Sequence, residues 1–234
     1  MGKKLGKQAE IYPKVLLVEG NQDKRVIPEL IEANDIPWVI EGQPIVQIRA
    51  TGGYEALRDP DTIATELTAS GLKALGIIVD ADEAPQQRWQ SIRDALNQGI
   101  PDIQAALPMD LPETGLIHQT QRGIRFGVWM MPDNRREGML ETFLGNLLPD
   151  GSTDLWEFAQ SAARSAQTDY QAPYTPVQTD KAQIYTWLAW QNPPGRQLHQ
   201  ALNEKIFQPS HPHAQRFVKW FQDLYCLKPK VEAG

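Results

Sequence analysis

The chain has few of the features that mark extracellular or membrane proteins. Its only cysteine, Cys226, excludes an internal disulfide and a zinc site built from cysteines. No run of the sequence approaches the roughly 20 consecutive apolar residues that span a bilayer, and the basic start of the chain lacks the apolar segment of a secretory signal. We therefore expect a cytoplasmic location and no membrane partner.

The chain also has no excess of basic residues. The 23 Lys and Arg residues are outnumbered by 29 Asp and Glu residues, which gives a net charge of -6. A passive nucleic-acid binder is normally basic, so this balance argues against non-specific coating of DNA. It argues less against an enzyme, because a bound cation would neutralise several carboxylates locally.

The first two thirds of the chain alternate between strand and helix patterns. Short apolar runs predict strands at 14–18, 45–50 and 74–79, and each is followed by a segment with helical spacing of apolar residues. Three such repeats imply right-handed parallel βαβ units. The predicted fold class is therefore α/β, with a parallel Rossmann-like sheet flanked by helices. Two further strands are predicted at 115–118 and 124–130.

The last third is predicted to be helical. The segment Pro149-Asp150-Gly151-Ser152 has the composition of a linker. We expect an α/β core at 13–150 and a helical C-terminal extension at 151–228 that packs on it. The remaining predicted helices are at 23–34, 54–70 (interrupted near Pro60), 85–98, 137–148, 155–167, 180–190 and 214–224.

Two short acidic clusters follow predicted strands. Glu19 and Asp23 come after the first strand, and Asp80 and Asp82 come after the third. Ligands bind outside the carboxyl ends of parallel strands, where these side chains are expected to meet. Converging carboxylates repel each other unless a divalent cation lies between them, and oxygen ligands suit Mg²⁺. The pattern predicts an Mg or Mn site, which is typical of phosphate chemistry.

Ordinary structural explanations exist for each cluster alone. Asp23 could simply favour a helix N-terminus, Glu19 could be a turn residue, and an Asp-x-Asp sequence often arises by chance. Both clusters in this order, on the first and third strands, are much less expected by accident.

Two residues on later helices are secondary candidates. Glu141 could complete the metal site or be an ordinary exposed glutamate. Lys181 could stabilise charge on a reacting phosphate or be a solvated lysine at a helix start.

Four residues in turns could contact phosphate. Gly52 and Gly53 follow a strand and precede a helix, so their amides could bind phosphate, although they match no established phosphate-binding motif. Arg135 and Arg136 could contact a nucleic-acid backbone or simply follow a turn.

The order of the acidic clusters resembles the Toprim domain of topoisomerases, bacterial primases and the overcoming-lysogenization-defect nucleases. That pattern has a Glu after the first strand and an Asp-x-Asp after a later one, which Glu19 and Asp80-Ala81-Asp82 match. Asp23 is similar to the Glu-x-x-x-Asp variant of the nuclease branch. The resemblance covers roughly residues 13–100. Nearly the whole chain resembles a Toprim-related bacterial family with no assigned function, through the segments 131–134, 138–141 and 186–190 together with Lys181.

The resemblance implies a metal-dependent nuclease or phosphodiesterase that acts on DNA or RNA. In it Glu19 would be a general acid/base or a ligand, while Asp23, Asp80 and Asp82 would hold one or two Mg²⁺ or Mn²⁺ ions. With the secondary candidates, the expected catalytic residues are Glu19, Asp80 and Lys181, and Glu141 joins the ligands. The chain is too short for the additional domains of a topoisomerase or primase.

Two other functions stay open. A phosphatase of the Asp-x-Asp type would use Asp80 as nucleophile and Asp82 as acid/base, but Ala84 stands where that pattern has Thr or Val. A non-catalytic Toprim-like module could instead serve as an interaction or effector subunit beside an ATPase partner.

Overall fold

A computed structural model describes residues 12–100 and 107–228. The strands in these residues are β1 (Lys14–Val18), β2 (Val39–Ile40), β3 (Gln43–Pro44), β4 (Gln47–Ala50), β5 (Ala74–Asp80), β6 (Leu116–Gln119) and β7 (Arg125–Met131). The helices are α1 (Asn21–Glu32), α2 (Tyr54–Leu57), α3 (Pro60–Leu67), α4 (Pro85–Gly99), α5 (Leu140–Gly145), α6 (Thr153–Thr168), α7 (Thr179–Ala189), α8 (Leu198–Asn203) and α9 (Pro212–Tyr225), with a 3-10 turn at Pro176–Gln178 before α7.

Five strands form one mostly parallel sheet in the order β4-β1-β5-β7-β6. β1 is parallel to β4 and β5, and β5 is parallel to β7, whereas the edge strand β6 is antiparallel to β7. The predicted α/β class with helices around a mostly parallel sheet is confirmed. The carboxyl ends of β1, β5 and β7 consequently lie along one edge.

The central strands are apolar on both faces because helices cover both faces. Leu16 and Val18 belong to one hydrophobic cluster, and their neighbours Val15 and Leu17 belong to the other. This is why β1 and β5 appear in the sequence as continuous apolar runs rather than alternating ones.

The C-terminal helices complete one of the two layers. Buried residues of α7, α8 and α9 share a hydrophobic cluster with α1 and α5, whereas α3 and α4 pack on the opposite face. The hydroxyl of Tyr225 at the end of α9 donates a 2.8 Å hydrogen bond to the carbonyl of Val15 in β1. The boundary placed near residue 150 stays a prediction.

Several elements differ from the sequence-based expectation. The predicted helix at 54–70 is two helices, because Asp59 caps α3 by accepting a 3.2 Å hydrogen bond from the N–H of Asp61. The helix predicted at 137–148 begins only at Leu140, since Gly138 has φ 127° and pairs with Asp82. The β2–β3 hairpin and α8 were not predicted, because elements this short leave little periodicity.

No helix within the described ranges is both long enough and apolar enough to cross a bilayer.

Candidate functional site

Four acidic side chains come together at the carboxyl edge of the sheet. Glu19 follows β1 and Asp80 ends β5, the strand beside it; Asp23 lies in the first turn of α1 and Glu141 in the first turn of α5. We call these four residues the carboxylate cluster. Asp23 is 7% exposed and Glu141 is 5% exposed. The sequence predicted the convergence of Glu19, Asp23, Asp80 and Asp82, and left Glu141 as a secondary candidate. The fold brings Glu141 to the cluster, whereas Asp82 lies beside it and pairs with Arg88.

Backbone amides hold the two carboxylates that follow the central strands. The N–H of Asp80 donates a 2.9 Å hydrogen bond to Oε1 of Glu19. The N–H of Leu140, at the start of α5, donates a 3.1 Å hydrogen bond to Oδ1 of Asp80. The turns after the strands are therefore linked through the same carboxylates that sequence analysis singled out.

The two carboxylates on helices have different partners. Asp23 accepts a 3.1 Å hydrogen bond at Oδ2 from the N–H of Gly20, so its side chain caps the start of its own helix. Nζ of Lys181, which is about half exposed in the first turn of α7, lies 3.4 Å from Oε1 of Glu141. Lys181 thus lies beside the cluster, and its catalytic role stays a prediction.

Burial and mutual repulsion disfavour the charged forms of this cluster. Burial, followed by the negative charges of Asp23, Glu19 and Glu141, raises the pKa of Asp80 well above its ordinary value. Burial also raises the pKa of Asp23 to about 6, with Glu141 adding to the rise and Lys181 opposing it. The pKa of Glu19 is raised by burial, against the lowering effects of the Asp80 N–H and the charge of Arg88. Such a cluster gains stability by taking up a proton or a cation.

Three members of the cluster have one uncommitted carboxylate oxygen. In the part of the chain that the structure describes, Oε2 of Glu19, Oδ2 of Asp80 and Oε2 of Glu141 make no hydrogen bond or ion pair with protein. The Asp23 carboxylate interacts with the N–H groups of Gly20 and of Asp23 itself. None of the three uncommitted oxygens is fully buried without a partner, so they are available to a solvent-borne ligand.

The donor chemistry fits a hard divalent cation, since Mg²⁺ and Mn²⁺ prefer carboxylate oxygen. The side chains do not surround a single point, however: no group of three or more His, Cys, Asp or Glu residues in 12–100 and 107–228 is arranged to hold one metal ion. A cation would have to draw the carboxylate oxygens of the cluster together. Metal ligation by Glu19, Asp23, Asp80 and Glu141 stays a prediction.

Asp82 lies beside the cluster but has different partners. Its φ of 48° is left-handed, and its N–H donates a 2.9 Å hydrogen bond to the carbonyl of Gly138. Its carboxylate forms an ion pair with Arg88 of α4. The structure thus places Asp82 against a cation rather than among the other carboxylates, and its role as a metal ligand stays a prediction.

The glycines predicted to bind phosphate lie at the same edge. The N–H of Gly52 donates a 3.2 Å hydrogen bond to the carbonyl of Glu19, so this amide is already engaged. Gly53 has φ 132° and precedes α2. Phosphate contact by these glycines stays a prediction.

The two arginines after β7 form ion pairs outside the carboxylate cluster. Nε of Arg135 lies 3.3 Å from Oε1 of Glu113, and Nε of Arg136 lies 2.6 Å from Oδ2 of Asp133. Neither ion pair includes a residue of the carboxylate cluster, and nucleic-acid contact by these arginines stays a prediction.

A cleft of about 600 Å³ adjoins the cluster. Asp82, Thr142 and Asp180 lie on its walls, and each is within two residues of Asp80, Glu141 or Lys181. Sequence analysis missed the cleft and Arg88. A signal existed for Arg88, which lies six residues after Asp82 at a helix start, but nothing in the sequence indicates that Pro176 and Val177 of the 3-10 turn line the cleft.

Comparisons with known proteins give one family and several distant structures. The C-terminal region of the Burkholderia pseudomallei OLD protein is 15% identical, with a TM-score of 0.45 over 92% of this chain and 100% of that one. The C-terminal region of the Xanthomonas campestris pv. campestris OLD protein, phased with platinum, is 17% identical, with a TM-score of 0.46 over 92% of this chain and 94% of that one. We draw no conclusion about this chain from TM-scores of 0.45 and 0.46. No curated protein sequence matches it.

The family comparison covers most of the chain. A family model described as "Protein of unknown function (DUF3226)" matches residues 13–226. This agrees with the resemblance, noted from the sequence, to a family without assigned function. The chain therefore belongs to the family DUF3226.

Proposed function

We propose that this protein is a metal-dependent phosphodiesterase that hydrolyses nucleic acid, with Mg²⁺ or Mn²⁺ held by the carboxylate cluster. The observation that carries the proposal is the gathering of Glu19, Asp23, Asp80 and Glu141 at the carboxyl edge of the sheet, where Glu19, Asp80 and Glu141 each have one uncommitted oxygen. Burial and repulsion raise the pKa of three of them, and a divalent cation would relieve both effects.

The roles of the residues follow from their contacts. Asp23, Asp80 and Glu141 would be ligands, joined by Asp82 when its ion pair with Arg88 opens. Glu19 would hold the cation or accept a proton from the attacking water, because burial raises its pKa and makes it a better base than an exposed glutamate. Lys181 would offset negative charge on the phosphate from beside Glu141. A bound metal would lower the pKa of water and polarise the phosphoryl oxygen.

The choice of nucleic acid as substrate is supported by the resemblance of the acidic pattern to the Toprim domain. The negative net charge of -6 does not oppose it, since the bound cation would supply the local positive charge.

The proposal is tested by two measurements on the same samples. Mn²⁺ and Mg²⁺ are titrated calorimetrically into the wild type, the Asp80→Ala/Asp82→Ala variant and the control Asp223→Asn, an exposed residue of α9 remote from the cluster. Nicking of supercoiled plasmid is then assayed. We expect metal binding and nicking by the wild type and the control, and neither by the double variant.

Other outcomes would replace the proposal. Metal binding without cleavage by the wild type would favour another phosphate substrate or the need for an ATPase partner. No metal binding by the wild type would exclude the metal-dependent reaction and favour a non-catalytic interaction subunit.

A further inference from the structure

Arg88 is the positively charged side chain on the wall of the cleft. Among the described residues that line the cleft it is the only cation, and it faces the acidic residues Asp82, Glu83, Glu137 and Asp180. A negatively charged ligand that enters this cleft would therefore be drawn to Arg88 before any other lining residue.

The Arg88 guanidinium is held in place but incompletely bonded. Its Cζ lies 3.7 Å from the ring centroid of Tyr54, and its Nη2 pairs with the carboxylate of Asp82. Its Nη1 is buried without a hydrogen-bond partner. A buried donor that lacks an acceptor is unfavourable, so a movement of the side chain that brings this nitrogen onto a ligand oxygen in the cleft would be favoured.

Arg88 also lies next to the carboxylate cluster. Its charge lowers the pKa of Glu19, and its partner Asp82 is two residues beyond Asp80. Lys181 lies beside Glu141, whereas Arg135 and Arg136 pair with Glu113 and Asp133 outside the cluster.

We propose that Arg88 binds the anionic phosphodiester group of the substrate, an inference that rests on the function proposed above. In the free protein Asp82 holds the guanidinium. On binding, a phosphate oxygen accepts hydrogen bonds from Arg88, and Asp82, released from Arg88, would be free to serve as a further ligand of a cation in the cluster. A planar guanidinium suits this exchange because its N–H groups match the oxygens of a carboxylate and of a phosphate alike.

The test compares two fluorescent DNA oligonucleotides of one sequence, a natural phosphodiester and an uncharged methylphosphonate. Binding is measured by anisotropy in Mg²⁺, and the oligonucleotides are checked for integrity on a gel afterwards. We expect the wild type to prefer the phosphodiester, and Arg88→Gln to reduce this preference about tenfold, the effect of one charge-assisted hydrogen bond pair. The preference that remains in Arg88→Gln is assigned to the cation and to Lys181.

The matched control is Arg58→Gln. Arg58 also faces the Tyr54 ring, at 5.8 Å, but pairs with Glu55 outside the cleft, so this variant removes the same charge and should keep the wild-type preference. Arg88→Lys keeps the charge and loses the planar donors, and should show a reduced preference even if Arg88→Gln fails to fold.

The outcomes separate this inference from the proposed function. A reduced preference in the Arg88 variants, without nicking or Mn²⁺ binding by the wild type, would support the phosphate contact and overturn the proposed reaction. Plasmid nicking that survives Arg88→Gln together with an unchanged probe preference would overturn the contact and keep the reaction. A wild type that does not distinguish the probes would also overturn the contact.

Discussion

The backbone N–H of Asp80 donates a 2.9 Å hydrogen bond to Oε1 of Glu19, although the two residues are 61 positions apart in the chain. This bond joins the end of β5 to the turn after β1, which are neighbours in the sheet. It also brings two carboxylates within range of each other's charge, which contributes to the raised pKa of Asp80. The contact between Glu19 and Asp80 therefore both links β5 to the turn after β1 and brings two mutually repelling carboxylates together.

Replacement of Asp80 by Asn should weaken metal binding and stabilise the metal-free protein. Asn keeps an acceptor for the N–H of Leu140 but carries no charge, so the repulsion from Glu19, Asp23 and Glu141 disappears. We expect Mn²⁺ affinity to fall by at least about a hundredfold, since changes outside the ligand shell alone cost about 10–100-fold. Calorimetry gives the affinity, and thermal unfolding at about pH 8 gives the stability.

The same measurements on Asp223→Asn provide the control, because Asp223 pairs with Lys219 on the exposed side of α9. Unchanged Mn²⁺ affinity in Asp80→Asn would remove Asp80 from the set of ligands. A lower unfolding temperature would show that its charge is already compensated in the folded protein.

The predictable part of the site is the part encoded by local patterns. Asp80 and Glu19 were identified because each ends a continuous apolar run, and strands in a parallel sheet place their ends at one edge. Asp23 followed because it begins the next helix. These positions depend only on the order of strands and helices, which periodicity reveals.

The remaining contacts depend on distant segments. Glu141 reaches the cluster because the loop after β7 includes residues with positive φ, at Asn134 and Gly138, and delays the start of α5. The pairing of Asp82 with Arg88 requires the left-handed backbone of Asp82, which is unusual for a residue other than glycine. No sequence periodicity encodes either feature, so Asp82 was grouped with the other carboxylates.

Asp23→Asn should change how stability depends on pH. The pKa of Asp23 is about 6 in the folded protein and 3.8 in the unfolded reference, so the folded state holds this proton more tightly. Its contribution to stability is fully present below 3.8 and is lost as the pH rises through about 6, a loss of up to about 3 kcal/mol. Asn does not titrate, so the variant should be the more stable protein at about pH 8, with the advantage gone below about pH 4.

Urea unfolding of the metal-free protein across this range measures the effect. The exposed Asp61→Asn on α3 is the control and should unfold in parallel with the wild type. An advantage of Asp23→Asn that is constant with pH would point to packing rather than to titration.

Lys181→Met should move the pH dependence of metal binding. Lys181 lies 3.4 Å from Glu141 and lowers the pKa of Asp23, so its removal raises that pKa above about 6. Metal ions and protons compete for carboxylates, but a divalent ion gains more than a proton from the loss of the lysine charge, so half-maximal Mn²⁺ binding should shift to lower pH. Stability should change little, because the Lys181 side chain is 49% exposed.

Calorimetric titrations at several pH values give the shift. Lys219→Met is the matched control, since it also breaks an exposed lysine–carboxylate pair but lies on α9, away from the cluster. Coincident pH curves for Lys181→Met and the wild type would exclude Lys181 from the electrostatics of the site.

The contact between α9 and the sheet can be tested apart from any chemistry. Tyr225→Phe removes the 2.8 Å hydrogen bond to the carbonyl of Val15 and should lower the free energy of unfolding by about 1–2 kcal/mol. A methyl group at Gly76 in β5 would overlap the Tyr225 hydroxyl and approach Cδ1 of Leu16 to 2.9 Å. Gly76→Ala should therefore cost about 1–3 kcal/mol.

The two substitutions should not be additive. Tyr225→Phe removes the atom nearest to the new methyl group, so Gly76→Ala should cost about 1 kcal/mol less in that background. Gly127, the neighbour of Gly76 in β7, supplies the control: a methyl group there would meet Leu224 and the carbonyl of Leu116 rather than the hydroxyl. Gly127→Ala and Tyr225→Phe should thus add. Urea unfolding of the two double-mutant cycles gives the coupling free energy between Tyr225→Phe and each glycine substitution. Equal coupling free energies for Gly76→Ala and Gly127→Ala would contradict a specific contact at Tyr225, because they would mean that α9 shifts as a whole.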